Sequence, residues 1–131
     1  MSTKSQGECS EGKILARLLE LGYAISLPFG NNQRYDMILD KDGKFTRAQC
    51  KTGRLVDGKV TFAVASKHWK TSVRHSYQGQ IDVFLVYCPQ TEKVYWVPIE
   101  ITGRSSFNIR ITEPISRSNR SRIRWEKDYL L

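Results

Sequence analysis

The chain has 131 residues, of which 40% are hydrophobic and 26% charged, a composition that supports one packed core and argues against a disordered chain. Its 21 Lys and Arg against 13 Asp and Glu leave a net charge of +8, which favours a polyanionic partner, usually nucleic acid. No apolar run nears the ~18–20 residues that span a bilayer, residues 1–12 lack the apolar stretch of a secretory signal, and three cysteines without C-x-x-C spacing beside two histidines argue against a disulfide framework, a zinc finger and an HNH-type site, so the chain reads as a reduced, cytoplasmic domain without a membrane partner.

Residues 10–21 carry a helical pattern. Ile14, Leu15, Leu18 and Leu19 form one apolar stripe, with Ser10 expected as the N-cap and Gly22 as the C′ stop. Glu11 extends that stripe towards the N-terminus. A carboxylate on a buried stripe needs a partner, unless it is a solvated first-turn Glu favoured by the helix dipole. Residues 23–27 predict a strand ended by Pro28 and Gly30, and residues 29–34 a polar loop. Strands over 35–39 and 45–51, joined by a turn at 40–43, predict an antiparallel hairpin. Asp57-Gly58 marks a second hairpin turn, leading into a strand over 60–65. Residues 66–80 are basic and polar and fit either a helix or a long loop. Residues 81–87 are apolar almost throughout, as in a central strand buried on both faces. A turn at 89–92 leads to a strand over 94–99, and 107–112 is an edge strand. Residues 113–131 form a basic C-terminal extension with Arg117, Arg120, Arg122 and Arg124, then Trp125, Tyr129 and Leu130. Tyr77, Trp69, Trp96 and Trp125 are expected in the core. The order predicts one α+β domain over residues 1–131, sandwich-like, with a mixed central sheet flanked by helices.

The charge is unevenly spread: −1 over residues 1–40, +7 over 41–80, −2 over 81–103 and +4 over 104–131. A solvated face would explain the two basic blocks, and so would contact with phosphates. The central block favours the second reading because it interleaves aromatic residues, as in Lys67-His68-Trp69-Lys70 and Arg74-His75-Ser76-Tyr77.

Side chains alternate along a strand. In the 45–51 strand, Phe45, Arg47, Gln49 and Lys51 therefore share one face, and Thr46, Ala48 and Cys50 the other. Asp36 opens the strand paired to it. A carboxylate, an amide oxygen and an ammonium thus converge from Asp36, Gln49 and Lys51 beside Glu11. Hard oxygen ligands of this kind suit Mg²⁺.

This layout resembles the PD-(D/E)XK nuclease fold, in which an acid opens one strand and (D/E)XK lies on the next. The resemblance is closer to one branch, the bacterial (cyanobacterial) homing endonucleases encoded within group I introns. It is carried by Glu11, Leu19-Glu20-Leu21-Gly22-Tyr23, Leu27-Pro28-Phe29-Gly30, Gln33-Arg34-Tyr35-Asp36, Gln49-Cys50-Lys51-Thr52-Gly53-Arg54, and Gln80 through Tyr87. Two positions depart from the pattern: Tyr35 precedes Asp36, and the neutral Gln49 replaces the acid of (D/E)XK. The resemblance implies a restriction-endonuclease-like core and site-specific cleavage of both strands of DNA, assisted by Mg²⁺ with Mn²⁺ as a substitute. It implies that Glu11, Asp36 and Gln49 hold the metal directly or through water. It implies that Lys51 orients or activates the attacking water and stabilises charge on the phosphate.

One such site per chain and two strands to cut point to a two-fold homo-oligomer, a dimer or tetramer. Asn31, Asn32, Gln33 and Arg34 lie just ahead of Asp36 and suit base edges or phosphates, or a plain polar connector. The hairpin with Arg54 and Lys59 suits the major groove, or an exposed turn. Lys67, Lys70 and Arg74 suit phosphate contacts, and His75 a surface or DNA contact. Two alternatives stand beside the homing endonuclease: a Holliday-junction resolvase of the same fold, and a DNA-binding module without catalysis, which the neutral Gln49 motivates.

Overall fold

The computed structural model describes residues 1–67, 70–115 and 122–131. The expectations for His68, Trp69, Arg117 and Arg120 lie outside the described residues.

Helix α1 spans Thr3–Glu20, seven residues longer at its start than the apolar stripe alone predicts. Its N-cap is Ser2, whose hydroxyl accepts a hydrogen bond from Ser5 N at 3.1 Å. Gly7 and Gly12, each costing ~1 kcal/mol in a helix interior relative to Ala, do not break it, because its inner face is fixed by packing. Ser10 is therefore not a cap. It stands mid-helix and, with Ile14 and Leu18, makes the buried line at i, i+4 and i+8. Gly22 ends the helix at φ +86°, the left-handed conformation expected of a C′ glycine.

Ten strands follow. Strands β1 (Ala24–Ser26), β2 (Met37–Lys41), β3 (Lys44–Thr52), β8 (Val83–Cys88) and β9 (Lys93–Pro98) form a five-stranded sheet in the order β1-β2-β3-β8-β9. Its pairs are antiparallel except β3 with β8, which is parallel with Ala48 opposite Val83. The β2–β3 hairpin turns on Asp42 and Gly43, both at positive φ (53° and 78°), as a tight two-residue hairpin turn demands. Strands β4 (Arg54–Val56), β5 (Lys59–Ala63) and β10 (Ser106–Arg110) form a second sheet in the order β10-β5-β4. Residues 65–67 and 74–76, β6 (Ala65–Lys67) and β7 (Arg74–Ser76), pair antiparallel as a separate two-stranded ribbon. The 66–80 stretch, open between helix and loop in the sequence, thus contains strand.

The five-stranded sheet is buried on both sides by different partners. On one face, Met37, Leu39, Ala48, Val83, Leu85, Tyr87 and Val94 meet Ile14 and Leu18 of α1. On the other, Phe84, Val86, Tyr95 and Val97 meet Val60, Phe62, Phe107 and Ile109 of the second sheet. Alternate residues of β8 go to opposite cores, so all six are buried. The α+β class with a mixed sheet holds. Among the described residues, however, one face carries a helix and the other carries strands, where flanking helices were expected.

Arg47 and Asp82 pin the start of the parallel pair. Arg47 N and Nε donate to Asp82 Oδ2 at 2.7 and 3.2 Å, and Nη2 donates to Oδ1 at 3.1 Å. The C-terminal residues bind the periphery. Trp96 N donates to Tyr129 O at 2.7 Å, Leu131 N to Val94 O at 3.0 Å, and Arg17 Nε to Leu131 O at 3.0 Å. No described helix is long and apolar enough to cross a membrane.

Candidate active site

The β2–β3 ladder stops short of the end of β3. Met37 pairs with Ala48, and Asp36 N donates to Ala48 O at 2.7 Å as the last rung. Asp36 thus stands one residue ahead of β2 instead of within a strand. The next free donor on β3, Cys50 N, is taken by the Asp36 carboxylate, which accepts through Oδ2 at 2.8 Å. A short acceptor at this position ends the ladder without orphaning a backbone N–H, and it fixes the carboxylate against the strand that carries Lys51.

Burial raises the Asp36 pKa, while the bond from Cys50 N and the positive charge of Lys51 pull against that rise. Glu11 is half-buried on α1. Its pKa is raised first by burial, then by the negative charges of Asp36 and Glu8. The Cys50 thiol is pushed up by burial and by the same two carboxylates, Asp36 and Glu11, so it stands as an inert neutral group. A buried carboxylate whose charge disfavours ionisation of a second one nearby marks a place that favours a cation.

Gln49 and Lys51 are half-buried on the same face of β3. Lys51 Nζ donates to Tyr77 Oη at 3.2 Å and lies 4.8 Å from the centre of that ring. Among the described residues, no three of His, Cys, Asp and Glu come together as a metal cage. The charged oxygen donors here are the carboxylates of Asp36 and Glu11, close enough that the charge of Asp36 raises the pKa of Glu11. That donor set fits a hard divalent cation that keeps water or a substrate phosphate in its remaining positions.

Ser10 and Thr52 were not anticipated as site residues. Ser10 Oγ and Thr52 Oγ1 are 2.6 Å apart, and Ser10 is 1% exposed. The pair ties the residue before Glu11 to the residue after Lys51, so it sets α1 against β3 at the point where both sides of the site arise. A sequence signal existed: Ser10 continues the Ile14–Leu18 line by one turn.

The expected DNA-contacting residues are distributed as follows. Asn31, Asn32 and Gln33 are exposed in the loop before Asp36. Arg34 is placed otherwise than expected. Its guanidinium turns inward, with Nη1 donating to Ser66 Oγ at 2.9 Å and Nη2 to His75 O and Ser76 O at 3.0 and 3.2 Å, so both terminal nitrogens bind the protein itself. Lys67, Arg74 and His75 are exposed on the β6–β7 ribbon, and Lys70 is exposed in the connection between its strands. The hairpin at 54–59 is not a free ribbon. Its turn is gripped by Ile111 N and Thr112 N, both donating to Gly58 O (2.9 and 3.2 Å), and by Arg110 Nη1, donating to Asp57 O at 2.9 Å. Arg54 is exposed, while Lys59 faces a groove shared with Arg110, Arg122 and Arg124. Tyr77 is in the core as expected, Trp96 packs half-buried against the helix side, and Trp125 is half-buried.

A family model described as PD-(D/E)XK endonuclease matches residues 1–131. Comparison with curated proteins finds no match. Among solved structures, a bacterial homing endonuclease, I-Ssp6803I, superposes with a TM-score of 0.77 at 23% identity, over 99% of this chain and 89% of that one. At that identity the likeness is one of fold.

Proposed function

The chain belongs to the PD-(D/E)XK endonuclease family, and from that membership we propose that it is a homing endonuclease of a group I intron, cutting both strands of a specific DNA duplex with the help of Mg²⁺. The observation that carries this reading is the Asp36 carboxylate fixed on Cys50 N, electrostatically coupled to Glu11 on one side and Lys51 on the other. Glu11, Asp36 and Gln49 are the residues that would hold the cation, directly or through water, with Mn²⁺ as a substitute. When bound, the cation lowers the pKa of a water and stabilises charge on the phosphate. The chain's own residues supply position and charge. Asp36, pinned by its backbone bond, presents a fixed ligand. Lys51 orients the attacking water and offsets negative charge growing on the phosphate oxygens.

For DNA contact we propose the exposed Asn31, Asn32 and Gln33 as groove readers. Arg54, Lys59, Lys67, Lys70, Arg74 and His75 are proposed as backbone contacts. Two cuts from one site per chain imply a two-fold dimer or tetramer.

The test is cleavage of a duplex library with Mg²⁺ and with EDTA, together with a four-way junction. Mg²⁺-dependent double-strand cuts at one duplex sequence are expected. Lys51→Ala is expected to abolish cleavage while DNA binding survives. Preference for the junction points instead to a resolvase, and full cleavage by Lys51→Ala overturns the site.

A further inference from the structure

Among the described residues, Tyr77 contacts Lys51 through both its hydroxyl and its ring. It follows β7 directly and is 5% exposed. Its ring meets Phe84 edge-on, with centroids 5.5 Å apart and planes at 87°. Its backbone carbonyl accepts from Gln80 N at 2.9 Å and Ile81 N at 3.3 Å. Ring and backbone are therefore both fixed.

Two cations converge on that ring. Arg34 Cζ lies 4.0 Å from the ring centre and Lys51 Nζ 4.8 Å from it, and Lys51 also donates to the hydroxyl at 3.2 Å. The electron-rich ring attracts both cations. Arg34 is in turn held by Ser66 Oγ and by the carbonyls of His75 and Ser76. Its Nε is buried without a partner among the described residues, while both terminal nitrogens and the guanidinium face are held by the ribbon and the ring. A lysine ammonium rides on four flexible carbons and is a poor positional device on its own. Here a phenol oxygen and a ring face limit where it can go.

We infer that Tyr77, braced by Arg34, is a positioning residue for Lys51. It sets the ammonium for the phosphate without itself meeting the substrate. The inference rests on the reading of Lys51 as the catalytic lysine. It also gives the loop before Asp36 and the β6–β7 ribbon a shared task, because Arg34 comes from the first and its backbone acceptors from the second.

Tyr77→Phe removes one oxygen and keeps the ring, the Phe84 contact and both cation–ring contacts. It is to be measured by single-turnover cleavage of a duplex that the full chain cuts, with Mg²⁺ present, alongside the dissociation constant for that duplex in Ca²⁺ and the thermal unfolding midpoint. The expected result is a cleavage rate lower by roughly 10- to 100-fold, the range in which small misplacements of catalytic groups fall. The DNA dissociation constant and the unfolding midpoint are expected to stay at their original values. Arg34→Met, which keeps the bulk and loses the charge, is expected to slow the same step. A Tyr77→Phe rate equal to that of the original chain overturns the inference, as does a loss that appears only in DNA binding. Lys51→Ala run in parallel separates the two levels. If it is inactive while Tyr77→Phe is fully active, only the positioning role fails. If Lys51→Ala itself cleaves, the site reading fails.

Discussion

Replacing Asp36 with Asn removes one charge while keeping the shape and the acceptor that Cys50 N uses at 2.8 Å. Without a cation, the native carboxylate is a liability at neutral pH. Its pKa is raised from an ordinary 3.8 by burial, and its charge in turn raises Glu11 from 4.5. For a carboxylate raised by folding, stability is fully present below the unfolded pKa and is lost as pH rises through the folded value. Above that window the cation-free Asp36→Asn protein is therefore expected to be as stable as the native chain or more so. Cation binding reverses the order. At ten times its dissociation constant a ligand specific for the folded state adds about 1.4 kcal/mol. An unfolding entropy of about 2.1 cal/mol/K per residue converts that, over 131 residues, to a rise of about 5 °C. Differential scanning calorimetry at pH 7.5, with and without Mg²⁺, should show this rise in the native chain and not in Asp36→Asn, and Asp36→Asn should not cleave DNA. An equal Mg²⁺ shift in both proteins, or a cation-free Asp36→Asn protein melting several degrees lower, would refute the electrostatic reasoning.

Gln49→Glu adds a third carboxylate to the proposed cation site, so the Mg²⁺ concentration for half-maximal cleavage should fall; an unchanged midpoint in a metal titration removes Gln49 as a ligand. Ser10→Ala leaves the Thr52 hydroxyl without its 2.6 Å partner. The expected cost is about 1–2 kcal/mol, which calorimetry should read as a midpoint lower by about 4–7 °C; no shift would show that the pair does not hold α1 to β3. A Cβ at Gly53 would stand 2.7 Å from Val60 Cγ1 and 2.9 Å from Val86 Cγ1, so Gly53→Ala should destabilise by about 1–3 kcal/mol through overpacking, measured by urea unfolding, and a neutral result would mean the two sheets separate easily. Asp82 is lowered chiefly by its hydrogen bond from Arg47. Its stabilisation is therefore present above the unfolded pKa and lost as pH falls through the lower folded value. Asp82→Asn should flatten stability against pH on the acid side, and an unaltered acid limb would contradict that bond.

The amphipathic stripe of Ile14 and Leu18, the Asp42-Gly43 turn and the uninterrupted apolar run of β8 were legible in the sequence because each is a local pattern. A side-chain period identifies a helix or strand from a few residues, and a turn type needs only its own pair. The pairing of β2 with β3 followed from the short turn between them, and with it the approach of Asp36 to Gln49 and Lys51. The parallel pairing of β3 with β8 and the strand layer opposite α1 were decided by tertiary structure. A period says which face is apolar but not what covers it. Arg34 makes the point at a single residue. In sequence it sits in a polar loop beside Asn and Gln and looks like a groove reader. In the fold its partners are 32 to 42 residues away, on Ser66, His75 and Ser76, with the ring of Tyr77 at 4.0 Å. Ser10 was misjudged in the opposite direction, as an end where the helix is continuous, because the two glycines around it weaken the local helical signal and burial against β3 overrides them. Residue types and spacing determined which groups are available for chemistry. Which of them stand side by side in the fold was settled by contacts between segments far apart in the chain, whose geometry no local pattern encodes.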